Sequence, residues 1–183
     1  LARGGSGLVI VEATAVSPEG RITPGCAGLW DDRHIAGMAS VAREIKAAGA
    51  VAGIQLAHAG RKASANRPWE GDDHIAEGDP RGWETISPSA IAYGANLPQV
   101  PREMTHEDIA RVQADLVAAT PRAVEAGLEW LELHVAPGYL APTFFSVHGN
   151  HPSQQARRAL SGPRRFLLDT PPPGRPVRPC HLT

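Results

Sequence analysis

The sequence has few cysteines and lacks long apolar runs. Cys26 and Cys180 are its only two cysteines, too far apart to make a disulfide framework, which favours a reducing, cytoplasmic location. No apolar run approaches the roughly 18 residues expected of a membrane span, and the first residues lack the apolar core of a signal peptide. We therefore expect neither a membrane protein nor a small secreted domain held together by disulfides.

An excess of charge of one sign is also missing. The formal net charge is -1 at pH 7, with 18 lysines and arginines against 19 aspartates and glutamates. Without a basic field, nucleic acid is not an expected partner. Hydrophobic residues make up 42% of the chain and charged residues 20%, as in ordinary globular proteins, and 183 residues suffice for one domain with a core.

Three short apolar runs have the length and composition of buried strands. They occupy residues 8–11, 51–56 and 128–133. The run at 51–56 is nearly continuous, as expected for a strand buried on both faces of a parallel sheet. The order strand, helix, strand predicts βαβ units and an α/β fold. The helical spacing between the runs is marked by Ile35, Met38, Val41, Ile45 and Ala48 and by Ile109, Val112, Leu116 and Ala119.

The second helical stretch carries start and stop signals and one conflicting residue. Thr105 and Asp108 resemble a capping box at its start, and Gly127 marks its end. Pro121 falls inside the pattern, where a proline costs about 3 kcal/mol. We therefore expect a kink or a break near Thr120.

A long segment without regular period, residues 64–102, separates the second strand from this helix. Many prolines and glycines divide it, and a loop of this length in a compact domain usually has a function. Trp69, Trp83 and Tyr93 lie within it, and such aromatic residues normally pack against other groups. We interpret the segment as an ordered excursion over a site.

Polar side chains follow the second strand where it is expected to end. Gln55, His58, Arg61 and Lys62 lie there, and the carboxyl ends of barrel strands are where ligands bind. The residues alone leave other interpretations open. Gln55 can instead bond a neighbouring backbone group, His58 is expected to be structural, and the two cations are expected to be solvated unless they steer an anionic cofactor.

Four motifs together resemble the Old Yellow Enzyme family, and more narrowly its bacterial FMN-dependent ene-reductases and xenobiotic reductases. The motifs are GLVIVEAT at residues 7–14, GIQLAHAGRK at 53–62, EMT at 103–105 and HVAPGY at 134–139. The resemblance implies a (β/α)₈ barrel with FMN at its C-terminal face, NADPH or NADH as reductant, and an activated alkene or nitro compound as the small-molecule acceptor. About three strand–helix units are recognisable, whereas such a barrel typically needs about 250 residues. The implied fold is therefore a partial TIM barrel.

The resemblance also implies roles for individual residues. Gln55 and Ala13 are the implied cofactor-binding residues, the first bonded to the isoalloxazine ring and the second lying against it. His134 is the implied catalytic and substrate-binding histidine that grips the acceptor's oxygen, and Tyr139 the general acid. The family's second substrate-binding histidine falls on Pro137, and losing such a donor typically costs about 2.7–4 kcal/mol in the transition state. No metal is implied. Without the family motifs, His134 and Tyr139 can equally be packing residues.

The resemblance divides the chain at residue 140. Residues 1–140 form the implied partial FMN-binding barrel domain, and residues 141–183 are expected to be a divergent, largely disordered tail, with five prolines between 171 and 179. The barrel strands before and after this stretch are absent from the sequence. An alternative is therefore a catalytically inactive, truncated remnant whose open sheet associates with other copies.

A weaker alternative is a metal-dependent hydrolase on the same barrel that uses His58 and His134. It lacks a third ligand and the carboxylates that such a site needs. His148 and His151 have a spacing that zinc sites use, but no convincing helix or turn fixes them.

Overall fold

The computed structural model describes residues 1–151. The sequence-based expectations for the remainder of the tail lie outside the described residues. Short 3₁₀ turns connect several of the regular elements, among them Pro18–Gly20 and Gly60–Lys62. In chain order, the strands and α-helices are β1 (Leu8–Ala15), α1 (Ile35–Ala47), β2 (Val51–Ala57), β3 (Ile86–Ser87), β4 (Arg102–Glu103), α2 (His106–Glu125), β5 (Trp130–Leu133) and α3 (Leu140–Thr143).

The central sheet has three strands in the order β1-β2-β5, and both pairings are parallel. Parallel strands need a crossover connection, which α1 supplies between β1 and β2 and α2 supplies between β2 and β5. The predicted βαβ units and the α/β fold class are thereby confirmed. The third strand begins at Trp130, two residues later than the apolar pattern suggests, and β3 and β4 form a separate parallel pair.

The helices cover only one face of the central sheet. Ile54 and Leu56 point into the helix layer and are 0% and 1% exposed. Residues of opposite parity lie on the other face. There Leu8, Val51 and Trp130 remain 38%, 40% and 38% exposed. The prediction that the strand at residues 51–56 is buried on both faces is therefore wrong at its start, because the described elements leave Val51 uncovered on this face.

Helix α2 begins as the sequence predicts. The Thr105 hydroxyl accepts the Asp108 N–H at 3.1 Å, and the Asp108 carboxylate accepts the Thr105 N–H at 2.9 Å. This reciprocal pair confirms the capping box. Gly127 follows the helix with a φ of +81°, a conformation that favours glycine and ends the helix. None of the helices within residues 1–151 is long and apolar enough to cross a membrane.

The prediction of a break near Pro121 is wrong, because α2 runs through this residue as one element. Proline has no N–H, so the helix lacks the hydrogen bond that residue 121 would donate to the Val117 carbonyl. Ala119 and Ala123 flank it and are 0% and 2% exposed, within the core that joins the helices to the sheet. Packing of this face against the sheet therefore outweighs the loss of one hydrogen bond.

The long segment from residue 64 to 102 is ordered, as predicted, although it contains little regular structure. Its Trp83 indole N–H donates to the Glu19 carbonyl at 3.0 Å, and the Arg21 guanidinium lies 4.6 Å from the Trp83 ring centroid. Trp69 is an exception, since 79% of it is exposed. The expectation that the aromatic residues of the segment all pack is wrong for Trp69.

The packed region extends past residue 140, where the sequence suggests a boundary. Ala141, Thr143 and Phe144 are buried, and Phe144 is fully enclosed in the core. The Asn150 amide donates to the Phe144 carbonyl at 2.7 Å and ties the following residues to this helix. Residues 141–151 therefore belong to the folded part, because α3 provides apolar side chains that close one end of the core.

A polar cluster around Glu19 ties the strand-end loops to the helix layer. The Glu19 carboxylate pairs with Arg111 on α2 and lies 3.9 Å from Nε2 of His58, which is 5% exposed. Nδ1 of His58 accepts the Gly60 N–H at 3.0 Å, so the neutral ring carries its proton on Nε2, towards Glu19. A Cβ at Gly20 would lie 2.9 Å from His58 Cδ2, so the ring fills the space at this glycine. These contacts support the structural role expected for His58.

The Glu19 carboxylate remains ionised to low pH. Burial acts to raise its pKa, but the nearby His58 ring, its own backbone N–H and Arg111 outweigh burial and lower the pKa from 4.5 to about 2. Because the pKa of this carboxylate is lower in the folded state than in the unfolded state, its ionised form stabilises the fold at pH values above the unfolded-state pKa. That stabilisation is lost as the pH falls through the folded-state value.

We predict that Glu19→Gln lowers the free energy of unfolding by about 1–3 kcal/mol at neutral pH, since Arg111 loses the closest of its three carboxylate partners. Urea unfolding at a series of pH values measures this. The control is Glu44→Gln, whose ion pair with Arg3 spans 3.8 Å between largely exposed side chains and should contribute less than about 1 kcal/mol. The difference between the free energies of unfolding of the two variants should have its full value above pH 4.5 and vanish towards pH 2. Equal stabilities at neutral pH would contradict the role assigned to Glu19.

We also predict that Pro121→Ala raises the free energy of unfolding by about 2 kcal/mol, because alanine restores the missing N–H to the helix. Thermal and urea unfolding measure the change. Glu125→Ala, at an exposed position in the last turn of the same helix, is the matched control and should change stability little. A Pro121→Ala variant no more stable than this control would show that α2 bears no cost at the proline.

Candidate active site

The parallel register places two predicted cofactor-binding residues side by side. Ala13 on β1 pairs with Gln55 on β2, and Gln55 pairs with Glu132 on β5. The register of β1 shifts between Val11 and Ala13, so that Ala13 and not Glu12 lies opposite Gln55. Such a bulge changes which side chain faces a site. By strand alternation, Gln55 lies on the sheet face that the helices leave uncovered.

The Gln55 amide is held by a side chain and not by backbone. Its Nε2 donates to Oε2 of Glu132 at 3.0 Å, so the alternative of a bond to a neighbouring backbone group is wrong. Within residues 1–151, this is the amide's one hydrogen bond, and its oxygen and second N–H remain available. Glu132 was not a predicted site residue. Its position two residues before His134, on the same side of a strand, is the signal that could have identified it.

His134 and Tyr139 lie together just beyond the end of β5. The His134 N–H donates to the Leu56 carbonyl at 2.9 Å, which extends the sheet pairing by one step. The imidazole and the Tyr139 ring meet edge to face, with centroids 4.4 Å apart and planes at 79°. Pro137 lies exposed in the loop that connects them. The structure thus brings the two predicted catalytic residues into contact.

Lys62 and Tyr93 close over this loop. The Lys62 ammonium lies 4.3 Å from the Tyr139 ring centroid and 4.7 Å from that of Tyr93. Gly138, with a φ of +87°, permits the approach, because a Cβ there would lie 2.3 Å from Tyr93 Cε2 and 3.1 Å from Lys62 Cδ. The interpretation of Arg61 and Lys62 as solvated charges is wrong. Arg61 is 9% exposed and donates to two loop carbonyls, while Lys62 is half-buried between two rings.

The electrostatic surroundings keep both site residues uncharged near neutral pH. Burial, and then the Lys62 cation, lower the pKa of His134, while Glu132 acts weakly in the opposite direction. Burial, with smaller effects from neighbouring ionisable groups, raises the pKa of Tyr139. The imidazole is therefore neutral and the phenol protonated at pH 7. A neutral imidazole can donate one hydrogen bond, and a protonated phenol can release a proton to a substrate.

The site is an open sheet edge and not an enclosed cavity. A cavity of about 520 Å³ lies within the long segment and includes Ser64, Trp83 and Gln99 in its lining. None of the site residues lines it. Residues 1–151 also contain no group of three histidine, cysteine, aspartate or glutamate side chains that could hold a metal ion. The described part of the chain offers no ligand set for the hydrolase alternative.

Comparison with known proteins identifies the family. A model of the NADH:flavin oxidoreductase / NADH oxidase family matches residues 1–170. The chain is 39% identical over 167 residues to an NADH:flavin oxidoreductase of Gibberella zeae. The aligned region covers 90% of this chain and 40% of that relative. It is 42% identical over 164 residues to an NADPH dehydrogenase of Bacillus velezensis, with coverages of 90% and 44%. The chain thus spans less than half the length of these relatives.

Solved structures give the same answer. Morphinone reductase matches with a TM-score of 0.75 and 27% identity, over 92% of this chain and 46% of that protein. An Old Yellow Enzyme homologue from Zymomonas mobilis matches with a TM-score of 0.73 and 27% identity, over 92% and 46%. These matches confirm the predicted fold, a part of a TIM barrel. The chain belongs to the NADH:flavin oxidoreductase / NADH oxidase family, which confirms the resemblance to the Old Yellow Enzymes carried by its motifs.

Proposed function

We propose that this sheet edge holds FMN and a small-molecule acceptor, in an oxidoreductase that uses NADPH or NADH as reductant. The pairing of Ala13 with Gln55 is the observation that carries the proposal. A methyl group beside a half-free carboxamide, on an uncovered sheet face, suits a flat ring with donors and acceptors along one edge. When bound, FMN supplies hydride transfer from the nicotinamide to an activated alkene or nitro compound.

The residues of the chain have separate tasks in this proposal. Gln55 offers the flavin ring an acceptor and a donor, while Glu132 fixes which way the amide points. Ala13 leaves room for the ring. Neutral His134 donates a hydrogen bond to the acceptor's oxygen, where negative charge develops, and Tyr139 donates the proton to carbon.

The relatives support the choice of reductant without deciding between the two nicotinamides. One relative is named an NADH:flavin oxidoreductase and others are named NADPH dehydrogenases. Cysteine content supports a cytoplasmic location, as argued from the sequence.

The alternative is an inactive remnant that binds no flavin. Its support is the uncovered apolar face of the sheet in the described residues. Under this alternative, Gln55 and His134 match the family's motifs but bind neither cofactor nor acceptor. The two readings differ in a quantity that can be measured directly, the affinity of the purified chain for FMN.

The first test is the absorbance spectrum of the 183-residue chain during gel filtration with FMN. We expect a flavin band to elute with the protein. Gln55→Leu should weaken FMN binding at least about tenfold, because the two amide contacts are lost. Gln99→Leu, which removes an amide bonded to the Ile75 carbonyl away from the site, should leave FMN affinity unchanged. Complete separation of flavin from a folded wild-type chain would contradict FMN binding by these 183 residues.

We also propose that the 183-residue chain, studied alone, pairs with a second copy through the uncovered sheet face. Light scattering during gel filtration should show a concentration-dependent species larger than a monomer, because exposed apolar side chains on an open sheet favour association. Trp130→Lys should shift it towards monomer. Trp69→Lys, at a more exposed tryptophan away from the sheet, is the matched control and should not. A wild-type chain that stays monomeric at high concentration would contradict this proposal.

A further inference from the structure

We infer that Lys62, held between Tyr93 and Tyr139, forms a subsite for a negatively charged oxygen of the acceptor. The inference rests on the proposed function, because it assigns a substrate class to the same site. The class is small acceptors that carry a carboxylate, or whose reacting group develops negative charge on oxygen. The ammonium would replace the donor that is missing at Pro137.

The first observation is that Lys62 has no carboxylate partner in residues 1–151, unlike the other lysine of the sequence. Lys46 forms an ion pair with Glu129 at 2.9 Å and also donates to the Gly127 carbonyl at 3.1 Å. Lys62 has neither kind of contact, and its described interactions are with aromatic rings. A half-buried ammonium without an acid is the arrangement expected where a ligand supplies the negative charge.

The second observation is that the position of the ammonium is fixed. Two ring faces at 4.3 Å and 4.7 Å lie well within the distance at which a cation is attracted to an aromatic ring. Gly138 allows this packing, since any side chain there would collide with Tyr93. The rings attract the charge but accept few of its hydrogen bonds, so N–H groups of the ammonium stay available for an oxygen atom.

The third observation is the neighbourhood of the reacting groups. Tyr139 contacts both Lys62 and His134, so the ammonium and the imidazole both lie beside one ring. Arg61 adds a second cation, 5.6 Å from the Tyr93 ring centroid. Nε2 of His134 is buried and has no hydrogen-bond partner in the described part of the chain. A preorganised cation stabilises charge that develops on oxygen, and an imidazole protonated at this nitrogen adds a hydrogen bond.

The subsite distinguishes between acceptors of similar shape. A carboxylate gains a charge-assisted hydrogen bond from the ammonium, whereas an amide of the same size gains only a neutral one. The site should therefore bind benzoate more tightly than benzamide. A lysine that only packs between two rings would not discriminate between these two probes.

The test measures binding of benzoate and benzamide to the full chain by NMR, with and without FMN. In the wild type we expect benzoate to bind more tightly and to shift the His134 and Tyr139 ring signals. Lys62→Met should weaken benzoate binding about tenfold and leave benzamide binding unchanged. Lys62→Arg should retain most of the preference, because it keeps the charge. Lys46→Met removes a lysine with an ion pair elsewhere and should have no effect.

The outcomes separate this inference from the proposed function. Benzoate binding that is absent in the wild type, or unchanged in Lys62→Met, would overturn the inference. An equal loss for both probes in Lys62→Met would also overturn it, since it would show a packing role alone. Failure of FMN to bind, with the benzoate preference intact, would remove the proposed function and leave the anion subsite. FMN binding without any preference for benzoate over benzamide would support the proposed function and remove the anion subsite.

Discussion

Parallel pairing of β2 with both of its neighbours is the constraint on which the rest of the structure depends. Parallel strands cannot be joined by a tight turn, so each pairing requires a helix that crosses back over the sheet. The two crossovers lie on the same face, where Ile54 and Leu56 meet the helices. The same pairing brings all three carboxyl ends to one edge. The parallel pairing of β2 therefore determines both which face of the sheet the helices bury and where the site residues meet.

The helix layer and the site edge are connected by polar contacts as well as by the sheet. Glu19 follows β1, His58 follows β2 and Arg111 lies on α2, so their cluster joins the strand ends to the helices behind them. His58 and Lys62 belong to the same strand-end segment, yet one faces the core cluster and the other faces the site. The contacts of His58 with the Glu19 cluster therefore anchor the segment that carries the Lys62 ammonium.

Sequence motifs predicted the parts of the site that lie within strands. Ala13 and Gln55 were assigned from adjacent strand motifs, and parallel register was enough to bring them together. Contacts that arise between distant segments were not predictable. Glu132 was missed because its partner is an amide on another strand. Lys62 was placed at the site edge, but its packing against Tyr93 and Tyr139 was not predicted, because it depends on two separate loops.

Local rules failed where packing opposed them. Pro121 should end a helix, but the buried alanines on either side keep α2 whole. Phe144 lies in a stretch without periodicity and is nevertheless enclosed in the core, since a single turn of helix is too short to show a pattern. The apolar run at 51–56 suggested burial on both faces, and the described elements cover one.

Residue-by-residue hydrogen exchange with and without FMN tests most directly the claim that β2 and its strand ends form a flavin site. We predict the slowest exchange in β2, with further slowing on addition of FMN at Ala13, Gln55 and the loop from His134 to Tyr139, and little change in α1. A folded chain whose exchange at these positions is unaffected by FMN would contradict it, as would β2 amides that exchange as fast as those of the edge strands.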